Sequence, residues 1–400
     1  MPTLNKIRTA VFPGTHRAPD APALRILRAR LTVFFALDGF LFAGWVVRIP
    51  AIKERTGASA GTLGLALLGV SAGAVATMMI TGRLCRRFGS HPVTVASAVL
   101  MSLGIALPPL AGSALALGLV LLVFGAAYGG LNVAMNSAAV DLVTALRRPV
   151  MPSFHAAFSV GGMLGAGLGG LVAGQVPVTA HLLLLTALGL AVSAAAGRGL
   201  LAHPVPERER PAAAAARSSR PAGRLVALFG VIALCTAYGE GALADWSALH
   251  LQQDLAAPAG VAAVGYSVFA LAMTVGRLAG SSLLARLGQT RVLVAGGATA
   301  AAGMLLGALA PTVWAALAGF AVTGLGLANV FPVAVGRAGE LAGPSGVAAA
   351  STFGYGGMLL GPPAIGFLAE AYTLPVALTT VAALAATAAG LAYGARRVVQ

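Results

Sequence analysis

VLVAGGATAAAGMLLGALAPTVWAALAGFAVTGLGLANVFPVAVG, residues 292–336, runs for 45 positions without one ionisable side chain. No surface helix of a soluble domain can be written this way, because one face of such a helix has to meet water. The length is twice what one crossing needs: about 20 apolar residues at 1.5 Å rise span roughly 30 Å of hydrocarbon. The Pro311-Thr312 pair near the middle is the turn signal that splits the run into two spans, 291–310 and 313–336.

The same pattern extends outward in both directions. Between Leu31 and Val47 the only ionisable residue is Asp38, and between Leu225 and Ala244 it is Glu240. Across the chain 58% of residues are hydrophobic and 9% charged, against roughly 25% charged in soluble domains. The apolar blocks are continuous rather than alternating, which excludes a transmembrane β-barrel. Splitting them at turn and charge signals gives an all-α polytopic membrane protein of twelve spans. Their limits are 31–50, 61–82, 92–111, 115–138, 154–175, 180–198, 224–247, 260–283, 291–310, 313–336, 347–370 and 374–395.

A net charge of +15 raises the question of a nucleic-acid partner, and the distribution of charge answers it. With both termini cytosolic, 22 of the 26 basic residues fall on the cytosolic side, among them Arg83, Arg86, Arg87, Arg147, Arg148, Arg286, Arg291 and Arg337. Only Arg48, Lys53 and Arg55 face outside, and Arg277 lies within a span. This is the positive-inside bias that orients membrane proteins, so no nucleic-acid partner is expected. Residues 1–30 are basic and proline-containing without an apolar core, which reads as a cytosolic tail and not a signal peptide.

The chain repeats itself with a period near 200. Asp38-Gly39 and Ala43-Gly44-Trp45 correspond to Glu240-Gly241 and Ala244-Asp245-Trp246, offset by 201 at the tryptophan. Leu131-Asn132-Val133 corresponds to Ala328-Asn329-Val330, FSVGGML from Phe158 to FGYGGML from Phe353, and Arg87-Phe88-Gly89 to Arg286-Leu287-Gly288. The expected domains are two six-helix bundles, 31–198 and 224–395, joined by a charged, proline-containing cytosolic linker at 199–223 and followed by a short cytosolic tail at 396–400. Two such repeats can rock about a shared central site.

LDGFLFAGWVVRIPAIKERTG, LNVAMNSAAV, FHAAFSVGG and YGEGALADWS together carry a resemblance over essentially the whole length. The chain resembles a major facilitator superfamily transporter of a bacterial inner-membrane branch placed near sugar and fucose permeases. The resemblance implies a central site built mainly from spans 1, 4, 7 and 10, and proton coupling. The superfamily's inner-loop signature, roughly G-x-x-x-D-R-x-G-R-R, is met by Gly82, Arg87 and Gly89, but Arg86 stands at the acidic position. In the second half Arg286 and Gly288 match and Ala285 stands where the acid would be, so a carboxylate latch between the halves is in doubt.

Buried charge is costly, about 2.5–3.5 kcal/mol per group on insertion scales, so each intramembrane carboxyl asks for a reason. Asp38 and Glu240 are the two deepest, and a carboxyl at such depth suits reversible protonation as the coupling group. Gly239 and Gly241 flank Glu240, an arrangement expected to weaken the helix and free backbone groups for solute. Asp245 lies 140° around an ideal helix from Glu240 and is expected at the outer interface or in a charge pair. Tyr128, Asn132 and Asn136 form a polar stripe at i, i+4 and i+8 suited to a hydroxylated or amide-bearing solute. Trp45, Trp246 and Asn329, the counterpart of Asn132, complete the candidate solute site, and Pro332 is expected to kink span 10. Arg48, Arg87, Asp141, His155, Arg277 and Arg286 are candidates for gating or charge pairs. Gly161, Gly165 and Gly169 mark a close-packing face, repeated as Gly357 and Gly361.

No phosphate-binding loop, metal-ligand spacing or catalytic triad is present, so neither a cofactor nor an enzymatic role is expected. The leading expectation is a monomeric, proton-coupled carrier of a small sugar-like solute, with membrane lipid around it. Efflux of an amphipathic drug or metabolite is the alternative within transport, and a non-transporting receptor or scaffold is the alternative outside it.

Overall fold

The computed structural model describes residues 21–58, 60–172, 175–202, 220–262 and 264–396. Their regular structure is helical throughout. The long helices are α1 (Ala21–Val46), α2 (Ala60–Phe88), α3 (Ser90–Gly104), α4 (Ala114–Leu146), α5 (Met151–Val172) and α6 (Val178–Ala202). They continue as α7 (Arg220–Gln253), α8 (Val264–Leu287) and α9 (Gln289–Ala308). Next, α10 runs Val313–Leu327 and, after a turn at Ala328-Asn329, continues as Val330–Ala342. The series closes with α11 (Pro344–Ala371) and α12 (Leu374–Gly394). A short helix, Ile49–Thr56, follows α1.

Ten of these helices are long and apolar enough to cross a membrane; α1 and α11 stand outside the ten. Their outward faces are apolar: Leu115, Trp314 and Leu171 are 76%, 76% and 74% exposed. A soluble protein does not present such a belt to water.

The start of the first helix differs from the sequence expectation. The first helix is described from Ala21, so residues 21–30 of the expected basic tail are helical and carry Arg25, Arg28 and Arg30 on α1, while residues 1–20 of that tail lie outside the described residues. Long basic side chains at a helix end reach the interface while their stems cover apolar surface, so helix continues where a tail was expected. Most of the expected linker, 203–219, and the tail residues 397–400 lie outside the described residues.

Packing in the second half repeats that of the first. In the first half α1 lies against α5 and α6, α2 against α4, and α3 against α4 and α6. Correspondingly, α7 lies against α11 and α12, α8 against α10, and α9 against α10 and α12. Local details repeat too. Gly89 and Gly288, at the tight turns between α2 and α3 and between α8 and α9, have φ of 86° and 78°, a left-handed region open to glycine at no steric cost. Ser113 and Thr312 cap α4 and α10 by accepting hydrogen bonds from Ala116 and Ala315 N–H.

The glycine stripe of α5 does what its spacing predicts. A Cβ on Gly161 or Gly165 would strike the carbonyls of Ala36 and Phe40 on α1. On the other side, a Cβ at Gly361 would sit 2.9 Å from the Tyr238 carbonyl of α7. Backbones approach this closely where the residue facing the partner helix has no side chain to hold it away.

The two halves meet at the end of the helices that bears the basic loops. A Cβ on Gly82 of α2 would lie 3.1 Å from the Pro344 carbonyl at the start of α11, and one on Gly339 of α10 would lie 2.8 Å from Val140 of α4. Arg86 hydrogen-bonds Ser345 across the same seam. One apolar cluster runs through both halves here, joining Val140 and Met151 to Val333 and Val347. At the opposite end α1 and α7 have no comparable contact.

Candidate functional site

Midway along the bundle, polar side chains from α1, α4, α5, α7, α8 and α10 gather where the halves face each other. On α4, Tyr128, Asn132 and Asn136 are all buried, as their four-residue spacing requires of one face. Tyr128 stacks on Phe42 of α1 with ring centroids 4.8 Å apart and meets Tyr355 of α11 edge-on at 5.9 Å. Trp45, one turn further along α1, is buried edge-on against Phe124 at 5.7 Å. These rings form a wall of the kind that stacks on the apolar face of a flat solute.

Asp38 sits one turn from Phe42 on α1. It is 0% exposed, and neither carboxylate oxygen has a hydrogen-bond partner among the described residues. Arg48, ten positions further along the chain, is occupied elsewhere. Its Nε donates to His181 Nδ1 at 2.7 Å and its guanidinium reaches the Val172 carbonyl at 3.3 Å, tying α5 and α6 to the segment after α1.

Asn136 bonds to two neighbours. Its amide N–H donates to the Asn132 carbonyl at 2.8 Å, and its Oδ1 accepts from His155 Nε2 at 3.2 Å. The His155 ring lies edge-on to Phe35 of α1 and to Phe331 of α10, so it touches both halves. Ser159, one turn later, donates to the His155 carbonyl at 3.1 Å.

Arg277 on α8 is the centre of the polar set. It is buried, and it donates to Ser159 Oγ at 2.5 Å, lies 3.7 Å from Glu240 Oε2 and reaches the Ala328 carbonyl at 3.4 Å. Pro332 explains the last contact: it has no N–H to return to the carbonyl four residues earlier, so α10 breaks at Ala328-Asn329 and that carbonyl is available. Asn329 closes the same junction from the other side, donating to the Gly276 carbonyl at 2.9 Å. The kink expected at Pro332 is present, and its freed carbonyl is taken by a cation.

The glycines around Glu240 act differently from expectation. Through Gly239 and Gly241 α7 is unbroken, so no backbone group is freed there. A Cβ at Gly239 would lie 2.9 Å from Val381, and one at Gly241 would lie 2.9 Å from the Met358 carbonyl. Close approach of α11 and α12 is the reason for glycine. Tyr238, just before, shares a hydrogen bond of 2.9 Å with Thr380. The Glu240 side chain is 28% exposed, open enough to meet a solute.

The other candidates lie apart. Asp245 is exposed, and Trp246 is half-buried with its ring beside Gly366. Arg87 is exposed and folds over the Phe88 ring at 5.1 Å, Arg286 is exposed, and Asp141 is half-buried near the basic end of α4. Sequence reasoning placed Arg277 in a span but missed its partners Ser159 and the Ala328 carbonyl. The usable signal was that Arg277 is the one basic residue inside a span, which demands a counter-charge, and Glu240 is one of only two deep carboxyls.

Helical architecture, repeated packing and a buried polar centre between two halves define a membrane transporter. The sequence model of the Major Facilitator Superfamily matches residues 31–239 and again 229–399, and the chain belongs to that family. An uncharacterized MFS-type transporter of Yersinia pestis is 35% identical over 375 residues, covering 92% of this chain and 95% of the relative. The uncharacterized transporter y4wD of Sinorhizobium fredii is 37% identical over 363 residues, covering 90% and 95%. Membrane protein MosC of Rhizobium meliloti is 30% identical over 370 residues, covering 91% and 88%. Among solved structures, the transporter FucP in its outward conformation superposes with a TM-score of 0.79 at 16% identity, covering 94% of this chain and 99% of that one. The human organic anion transporter MFSD10 superposes at 0.74 and 15% identity, covering 92% and 99%. At these identities the likeness is one of fold.

Proposed function

We propose that this chain is a secondary active transporter of twelve spans in two six-helix bundles, which moves a small sugar-like solute together with protons by alternating access. Its basic end is cytosolic, both termini lie on that side, and it sits as a monomer in a bacterial inner membrane. The carrying observation is Asp38. A fully buried carboxyl with no hydrogen bond to either oxygen, beside the Phe42–Tyr128 wall, is costly unless its charge changes with the cycle. Glu240 is the second candidate for the coupled proton. Tyr128, Asn132, Asn136, Trp45, Trp246 and Asn329 offer aromatic faces and amides to a hydroxylated ligand, of which Asn136 and Asn329 already spend donors on the protein.

The E. coli fucose:proton symporter FucP, a substituted form of which superposes with a TM-score of 0.77, suggests where to begin. Purified protein in sealed vesicles is given an inward proton gradient and a panel of radiolabelled monosaccharides that includes L-fucose. Accumulation of one of them is the expected result. Asp38→Asn and Glu240→Gln keep shape while fixing the neutral form. In the variant of the true coupling residue, accumulation is lost and exchange without a gradient survives. If both variants still accumulate sugar in response to the gradient, neither carboxyl carries the proton.

A further inference from the structure

We propose that Arg277 is the positioning residue that ties the halves together at the basic end, and that Glu240 sets whether the tie holds. The inference rests on the alternating-access reading above. Arg277 stands about 15 Å from the basic end of α8, and Ser159 about 12 Å from the basic end of α5, by helical rise. Their hydrogen bond of 2.5 Å joins the second half to the first, on the basic side of the Tyr128–Tyr355 ring contact between α4 and α11. From there toward the basic end the seam is continuous. His155 meets Phe331, a Cβ on Gly280 would lie 2.5 Å from Pro152, and Gly82 abuts Pro344.

The guanidinium has a division of labour. Its Nε is fixed within its own half by the Ala328 carbonyl, and one terminal nitrogen faces Glu240, also in its own half. The other terminal nitrogen is thereby aimed across the gap at Ser159. A guanidinium is planar and cannot turn one nitrogen without moving the rest, so what happens at Glu240 is felt at Ser159. The 3.7 Å separation from Glu240 is longer than a hydrogen bond. Glu240 therefore acts mainly through charge.

Opening the basic end requires α5 and α8 to separate there, and the Ser159–Arg277 bond has to break. While Glu240 is charged, the buried cation is compensated and the closed arrangement is stable. When Glu240 is neutral, through a proton or a bound group that takes its charge, Arg277 is left buried without a counter-charge. The state that exposes Arg277 to water is then favoured. The tie converts an event at the central site into release of the seam.

The test needs no solute and no gradient. Spin labels are placed at Arg87→Cys and Arg286→Cys, both exposed at the basic ends of α2 and α8, with Cys85 and Cys235 replaced by alanine. Distance distributions are then measured in lipid nanodiscs. Ser159→Ala is expected to raise the ratio of open to closed molecules at this end roughly tenfold, the equivalent of one charge-assisted hydrogen bond. Ser159→Thr, which keeps the hydroxyl, is expected to stay closed. Glu240→Gln is expected to open the end as well, and the double variant Ser159→Ala/Glu240→Gln to open it no further than the larger single effect, because both act through one guanidinium. Unchanged distances in Ser159→Ala overturn the tie, as does equal opening in Ser159→Ala and Ser159→Thr, which would mean packing and not the hydrogen bond. Unchanged distances in Glu240→Gln, or additive effects, overturn the role of Glu240. Failure of sugar accumulation in the vesicle assay leaves these outcomes untouched, so the two ideas fall separately.

Discussion

His155 and Asn136 show how one contact can be read in a sequence only in part. Both were visible as polar residues in apolar spans, but the 3.2 Å bond between them joins α4 to α5. With Asn136 Nδ2 committed to the Asn132 carbonyl, its Oδ1 is the acceptor and His155 Nε2 carries the hydrogen. Replacing either residue by alanine leaves the other buried without its partner. A double-mutant cycle of Asn136→Ala and His155→Ala, followed by thermal unfolding in detergent, is expected to return a coupling of about 0.6 kcal/mol, the average for interhelical hydrogen bonds measured in a membrane protein. A coupling near zero would mean the two side chains do not share a bond in the folded protein. Asp38 and Glu240 were equally legible as buried carboxyls, and their difference was not. The basic partner of Glu240 lies 37 positions along the chain on another helix, whereas Asp38 has none among the described residues.

At the scale of elements, four-residue glycine spacing carried more information than any charged motif. The stripe on α5 predicted a packing face without naming its partner, and the partner proved to be α1, with α7 and α11 repeating the arrangement. Between the stripe and the far side of α5, space differs sharply from glycine to glycine. Gly161 faces the Ala36 carbonyl, while Gly167, on the opposite side of the helix, has nothing within 4 Å of a built Cβ. Gly161→Leu is therefore expected to destabilise the fold by at least the roughly 1–3 kcal/mol typical of overpacking. Gly167→Leu, facing lipid, is expected to be neutral. The check is the melting temperature and monodispersity of the two variants by size-exclusion chromatography; equal behaviour would contradict the α1–α5 approach. Helix ends were less legible than helix faces. Residues 21–30 read as a tail because three arginines interrupt apolar patterning, yet they continue α1, since a helix can project basic side chains at its end without losing backbone hydrogen bonds.

At the scale of the whole molecule, the departure of the inner-loop signature becomes physically interpretable. Arg86 takes the acidic position of that signature and reaches Ser345, in the first turn of α11, as well as the Gly82 carbonyl at 3.2 Å. The N-terminal end of a helix carries a partial positive charge and unpaired N–H groups, which favour an anion and disfavour a cation. The serine hydroxyl gives Arg86 an acceptor, but the helix field opposes it, so this contact holds the halves more weakly than a carboxylate would. Arg86→Asp reverses the sign at the same place, where a carboxylate can accept from the first N–H groups of α11. The expected result is a closed basic end strengthened by about 0.5–2 kcal/mol. It would appear as loss of any open population in label distances between the inner loops, and as slower solute exchange. Arg86→Ala removes the contact without supplying an anion and should leave the basic end less closed than the parent. Identical distance distributions in all three proteins would show that the α2–α11 contact is held by the close packing of Gly82 against Pro344 and Ala348, and that charge at position 86 does not govern which end of the carrier is open.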